Sequence, residues 1–112
     1  MIDKEVRAGF YICASICGQD GIISETEELA LVQKFTATFN LNESEIEQLF
    51  ENFFSSDENF DEYLNKVVDA DLRLLIYKIA KYSAASDELE IRENIALKRA
   101  GIIWELDLCQ EQ

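Results

Sequence analysis

Proline and histidine are both missing from this chain, and glycine occurs only four times in 112 residues. Without proline, nothing interrupts a helix by removing a backbone donor. Without histidine, the common Ser-His and Cys-His nucleophile pairs cannot form, and the usual nitrogen ligand of zinc is gone. Cysteine is scarce: Cys13, Cys17 and Cys109 are odd in number and show no CxxC spacing. That argues against a secreted disulfide framework and a zinc ribbon and favours thiols buried in a core. Long apolar runs are absent as well. Leu74-Leu75-Ile76 and Gly101-Ile102-Ile103-Trp104 fall far short of the roughly 20 residues that cross a bilayer. The acidic, mixed start Met1-Ile2-Asp3-Lys4-Glu5 lacks the basic and then apolar pattern of a secretory signal. The expectation is a cytoplasmic protein with no direct membrane insertion.

Positive charge is the other shortage. Ten Lys and Arg stand against 23 Asp and Glu, a formal net charge of -13. Such a surface repels nucleic-acid phosphate and anionic lipid, and it attracts cations or basic proteins. A basic protein partner is therefore expected, and nucleic acid is not. What is plentiful is apolar residues, 48% of the chain, enough to close one core in a single domain over residues 1–112.

Those apolar residues recur at three- and four-residue intervals throughout, an all-α pattern. A first helix is expected from about Asp3 to Gly18, with Val6, Phe10, Cys13 and Cys17 on one stripe and Ile2, Ile12 and Ile16 widening it, so that it is buried on most sides. Gly18-Gln19-Asp20-Gly21 is the clearest turn, and Ser24-Glu25-Thr26-Glu27 after it reads as a capping box. The second helix carries Leu29, Val32, Phe35 and Phe39 and ends near Asn40. Asn42-Glu43-Ser44-Glu45 repeats the cap and opens a third helix through Ile46, Leu49, Phe50, Phe53 and Phe54. After a polar stretch from Ser55 to Asn59, a brief helix from Phe60 to about Val68 carries Tyr63, Leu64 and Val67. A longer helix from about Asp69 to Ala85 carries Leu72, Leu75, Ile76, Ile79, Ala80 and Tyr82. The last, about Ile91 to Leu106, brings Ile95, Ala96, Ile102, Ile103 and Trp104.

A shift of 66 maps Ile23 onto Leu89, Ser24 onto Glu90 and Glu27 onto Glu93, a weak helix-turn-helix repeat. The first copy, Ala14-Ser15-Ile16-Cys17-Gly18-Gln19-Asp20-Gly21-Ile22-Ile23-Ser24-Glu25-Thr26-Glu27, resembles the helix end, Asp-Gly turn and later glutamate of TerB-like domains of the tellurite-resistance family. That family includes the module at the start of some membrane-anchored J-domain co-chaperones. The second copy, from Ile79 to Glu93, is similar to the same pattern but puts Ser86 and Asp87 at the Asp-Gly positions. The resemblance spans roughly Val6 to Leu106. It implies a bundle of about six or seven helices that brings the two acidic loops together, a divalent-cation site, no organic cofactor and no catalysis. The residues it singles out as metal ligands are Asp20, Glu27, Asp87 and Glu93.

The residues themselves leave two readings open. Asp20 and Glu27 flank a helix N-terminus, where a carboxylate is favoured by the dipole without any metal. Alternatively they bind a cation. Asp20, Gly21, Ile23, Ser24 and Glu27 match the fifth, sixth, eighth, ninth and twelfth places of an EF-hand loop, but the first and third fall on Ile16 and Gly18, which offer no side-chain oxygen. A complete EF-hand is excluded. Oxygens would have to be lent by Asp87, Glu88, Glu90 or Glu93, and such hard ligands select Ca²⁺, Mg²⁺ or Mn²⁺ over Zn²⁺. Elsewhere, Phe50, Phe53, Phe54 and Phe60 read as core or as a groove for a partner helix, and Trp104 shares the ambiguity. Glu43, Glu45, Glu47, Glu51, Asp57, Glu58, Asp61 and Glu62 form an acidic belt, either a solvated face or a dock for a basic partner. Two functions follow: a TerB-like stress-response adaptor that binds a cation, or an acidic interaction module without metal. Paired carboxylates also suit a glycoside hydrolase, but the aromatics have an apolar account and the domain is small.

Overall fold

The computed structural model of the chain describes residues 3–18, 23–86 and 91–106. They form six helices and no strand: α1 (Lys4–Cys17), α2 (Glu25–Phe39), α3 (Glu43–Ser55), α4 (Phe60–Lys66), α5 (Ala70–Ala85) and α6 (Ile91–Ile103). Five of the six starts are fixed by a side chain that accepts from backbone N–H groups the helix leaves unpaired. Asp3, Asn59 and Asp69 do this for α1, α4 and α5. Ser24 with Glu27, and Asn42 with Glu45, make reciprocal capping boxes for α2 and α3. Asn40 ends α2 in the left-handed region, at φ 54°, a conformation asparagine tolerates better than most residues.

The expected breadth of the α1 face is realised. Nine of its 14 residues are buried, and it touches each of the other five helices, so the bundle is built around it. Its closest neighbour is α5, and Gly9 makes the approach possible: a β-carbon there would lie 2.3 Å from Ile76 Cδ1. Phe10 then stacks edge-on against Phe35 of α2 and Phe50 of α3, with ring centroids 5.2 and 4.9 Å away. Two polar ties close the far ends. Trp104 Nε1 donates to the Leu64 carbonyl at 2.9 Å, and the Glu5 carboxylate accepts from the Val68 and Asp69 amides at 2.7 and 3.1 Å, holding the start of α1 to the α4–α5 link.

Several side chains expected in the core are outside it. Leu29, Phe54, Leu75, Tyr82, Ile95, Ile102 and Ile103 are exposed, while Leu31, Leu97, Ala100 and Gly101 are buried in their stead. The displacement is largest on α6. Its inner side is lined by Glu93, Ala96, Leu97, Ala100 and Gly101, so the small residues face α1 and α5 and the four isoleucines Ile91, Ile95, Ile102 and Ile103 are exposed. Close helix approach demands small side chains, and that demand outweighs the hydrophobicity of isoleucine.

Candidate functional site

Glu27 and Glu93 are each the third residue of their helix, as the repeat requires, and both are buried, at 5% and 2% exposure. Glu27 has a structural duty. One of its oxygens accepts from the Ser24 amide at 3.1 Å while the Ser24 hydroxyl accepts from the Glu27 amide at 3.1 Å. The C-terminal end of α1 brings the two glutamates into one neighbourhood. Burial, and then the negative charges of Glu27 and Glu93, push the Cys17 thiol far above its ordinary value. Cys13, one turn earlier, is raised chiefly by burial. Both are free thiols, so these cysteines are core residues kept protonated, as expected.

Of the four ligands singled out, Glu27 and Glu93 thus share the Cys17 neighbourhood, and Asp20 and Asp87 lie outside the described residues, as do Glu88, Glu90 and Cys109. Among the described residues no cluster of three or more His, Cys, Asp or Glu side chains is placed to hold a metal ion. Two carboxylates, one of them half committed to a cap, supply hard oxygens but not a coordination shell.

A second site comes from the Phe-rich middle of the chain. A cleft of about 370 Å³ lies between the start of α2 and the outer side of α3, lined by Ile23, Phe50 and Phe54 and rimmed by Glu28, Glu47 and Glu51. Phe50 is anchored to the core through Phe10, and Phe54, 70% exposed, stacks on Phe50 with centroids 6.2 Å apart. The four phenylalanines therefore divide: Phe50, Phe53 and Phe60 are half-buried, and Phe54 stands at the mouth of the cleft. Glu43, Glu47 and Glu51 recur every four residues, so they share one exposed line of α3. The fold uses other members of the belt itself: Glu45 caps α3, Glu58 pairs with Lys66, and Asp61 takes Arg99 through two hydrogen bonds.

Sequence spacing missed one feature entirely. Ile91, Ile95 and Ile102 are 80%, 60% and 73% exposed, and their spacing of four and seven residues puts them on one line along the outer side of α6. Lys98 lies on the same line, with Arg92 and Arg99 beside it. The signal was present, since α6 is apolar on two opposite sides, but periodicity alone cannot say which side faces inward.

Comparisons of the chain with protein-family models, curated proteins and solved structures find no match.

Proposed function

We propose that this domain is a non-enzymatic interaction module whose Phe50–Phe54 cleft receives the apolar side of a basic amphipathic helix. The observation that carries it is the cleft itself, an aromatic floor continuous with the core and a rim of three glutamates in a protein of net charge -13. A helix laid there gains apolar burial along its inner side and ion pairing along its flanks. The long-range field of the protein steers such a cation-rich partner inward. A TerB-like adaptor working in the cytoplasm is consistent with this, and the two free buried thiols suit a reducing compartment.

The test uses a synthetic helical peptide with a leucine line flanked by lysines, titrated into the full chain and followed by fluorescence anisotropy. Saturable binding weakened about tenfold or more by Phe54→Ser or by Glu47→Lys/Glu51→Lys is the expected result. Binding that ignores both variants would remove the cleft from the account.

A second reading rests on a separate observation, the joint placement of Glu27 and Glu93 at the Cys17 end of α1. With oxygens added from Asp20 and Asp87, this pair would hold Ca²⁺, Mg²⁺ or Mn²⁺. Thermal unfolding in EDTA and in each ion at equal ionic strength tests it, because a ligand of the folded state raises the midpoint. The informative variants are Asp20→Asn/Asp87→Asn and Glu93→Gln. Glu27→Ala lowers the midpoint with or without ion, since it also breaks the cap.

A further inference from the structure

The outer side of α6 has the chemistry that the cleft selects. Ile91, Ile95 and Ile102 make an apolar line, and Arg92, Lys98 and Arg99 put three of the chain's ten cations on or beside it. Arg99 is already held by Asp61, which leaves Lys98, on the line between Ile95 and Ile102, as the cation best placed to meet a partner. A helix that is apolar on two opposite sides is normally covered on both, and one side of α6 is covered by its own bundle.

We infer that a second copy of this chain covers the other side, the α6 line of one molecule lying in the Phe50–Phe54 cleft of the next. The inference rests on the cleft reading above and names one partner for it. Three observations on the two surfaces agree. Their charges are opposite, Lys98 and Arg92 against Glu47, Glu51 and Glu28. Their spans agree: Ile95 and Ile102, like Glu47 and Phe54, lie seven positions apart, about 10 Å of helix. And the two linings share no residue, so one molecule can use both at once. Pairing α6 against α6 across a two-fold axis fits less well, because it sets Lys98 and Arg92 against their own copies. A contact between two different surfaces does not close on itself at two, so it generates rings or open chains. A single helix in a cleft is at the small end of specific interfaces, and the association is correspondingly weak, with a dissociation constant on the order of 10–100 μM. The net charge of -13 on each copy opposes approach at low salt, and at ~0.15 M that repulsion is screened beyond about 8 Å while the contact charges are not.

Sedimentation equilibrium of the full chain at ~0.15 M salt, from about 10 μM to about 1 mM, tests this. The weight-average mass is expected to start at the monomer and to pass the dimer at the upper end. Lys98→Glu alone and Glu47→Lys/Glu51→Lys alone each return it to the monomer. An equimolar mixture of the two variants restores association, because the native α6 line of the Glu47→Lys/Glu51→Lys variant meets the native cleft of the Lys98→Glu variant, and at the alternate contact the two reversed charges meet each other. Recovery in the mixture also shows that neither variant has simply misfolded. A wild type that stays monomeric at about 1 mM overturns the inference, and so does a mixture that fails to recover. A dimer that responds to Lys98→Glu but not to Glu47→Lys/Glu51→Lys also overturns it, by pointing to α6 against α6. The cleft reading stands or falls separately, since Lys98→Glu must leave binding of the lysine-flanked peptide unchanged.

Discussion

Gly9→Ala sets two effects of opposite sign against each other. In the middle of an exposed helix this change stabilises by about 1 kcal/mol, because alanine loses less backbone entropy. Gly9 is instead buried where α1 meets α5, and the new β-carbon would sit 2.3 Å from Ile76 Cδ1 and 2.8 Å from Cγ1. Ordinary carbon contacts begin at about 3.5 Å, so Ile76 must retreat by roughly 1 Å. It has nowhere to go, being fully buried among the core side chains. Overpacking of this kind costs about 1–3 kcal/mol, so the net loss reaches about 2 kcal/mol. At about 4 °C per kcal/mol for a chain of this length, the midpoint falls by up to roughly 8 °C by circular dichroism. The second arm is Ile76→Val, which shortens the offending side chain. In the wild type it costs about 1 kcal/mol, whereas in the Gly9→Ala background it is neutral or stabilising. A raised midpoint for Gly9→Ala, or equal costs of Ile76→Val in both backgrounds, would refute the close α1–α5 approach.

Three further outcomes are expected. Cys13 and Cys17 resist iodoacetamide at pH 8 in the native protein and react only after denaturation, since burial holds both thiols well above their usual range; peptide mass mapping reads this, and native alkylation of Cys17 would contradict its setting. The Asp61 carboxyl is held below the usual carboxylate range by its hydrogen bonds from Arg99, so its contribution to stability is present above that range and disappears as pH falls through the lowered value. The midpoint difference between wild type and Asp61→Asn should therefore shrink to nothing in strong acid, and a difference that grows instead would reverse the sign of the pairing. Ser24→Ala and Asn42→Ala each cost about 1 kcal/mol in urea unfolding, additively in the double variant, because the two capping boxes serve different helices.

What the sequence made legible was local. Ser24 with Glu27 and Asn42 with Glu45 were readable because the cap and its reciprocal partner are three residues apart and need nothing from the rest of the fold. Helix bounds follow from the same signals and from the apolar intervals, which is why all six elements lie close to where spacing put them. Orientation was legible where a helix has one apolar side or is buried nearly all round, as in α1. It was lost where apolar residues occupy two sides. On α2 the inward set turns out to be Ala30, Leu31 and Phe35, and Leu29 points outward. On α6 the decision was made by Ala96, Ala100 and Gly101, whose smallness says little in a sequence and much in a helix contact. Contacts between distant segments, such as Glu5 on the Val68 amide or Asp61 with Arg99, depend on topology that no local pattern encodes. Glu27 and Glu93 were related by the repeat, and the fold buries both as the third residues of their helices, each acting on Cys17.

The line of Glu43, Glu47 and Glu51 separates what the fold needs from what a partner needs. Like charges four residues apart on a helix destabilise it by about 0.2–0.5 kcal/mol per pair, and here there are two such pairs with no compensating role in packing. Selection for stability alone would remove the middle charge. Glu47→Lys replaces two repulsions by two attractions, so the isolated chain should gain about 1–2 kcal/mol and melt roughly 4–8 °C higher. If the line exists to dock a basic helix, the same substitution weakens binding of the lysine-flanked peptide while it strengthens the fold, a divergence that a defect of folding cannot mimic. A variant that gains stability and binds the peptide unchanged would reduce the line to a solvated face. Stability and binding moving in opposite directions would mean that the acidic line is kept at the expense of the helix that carries it.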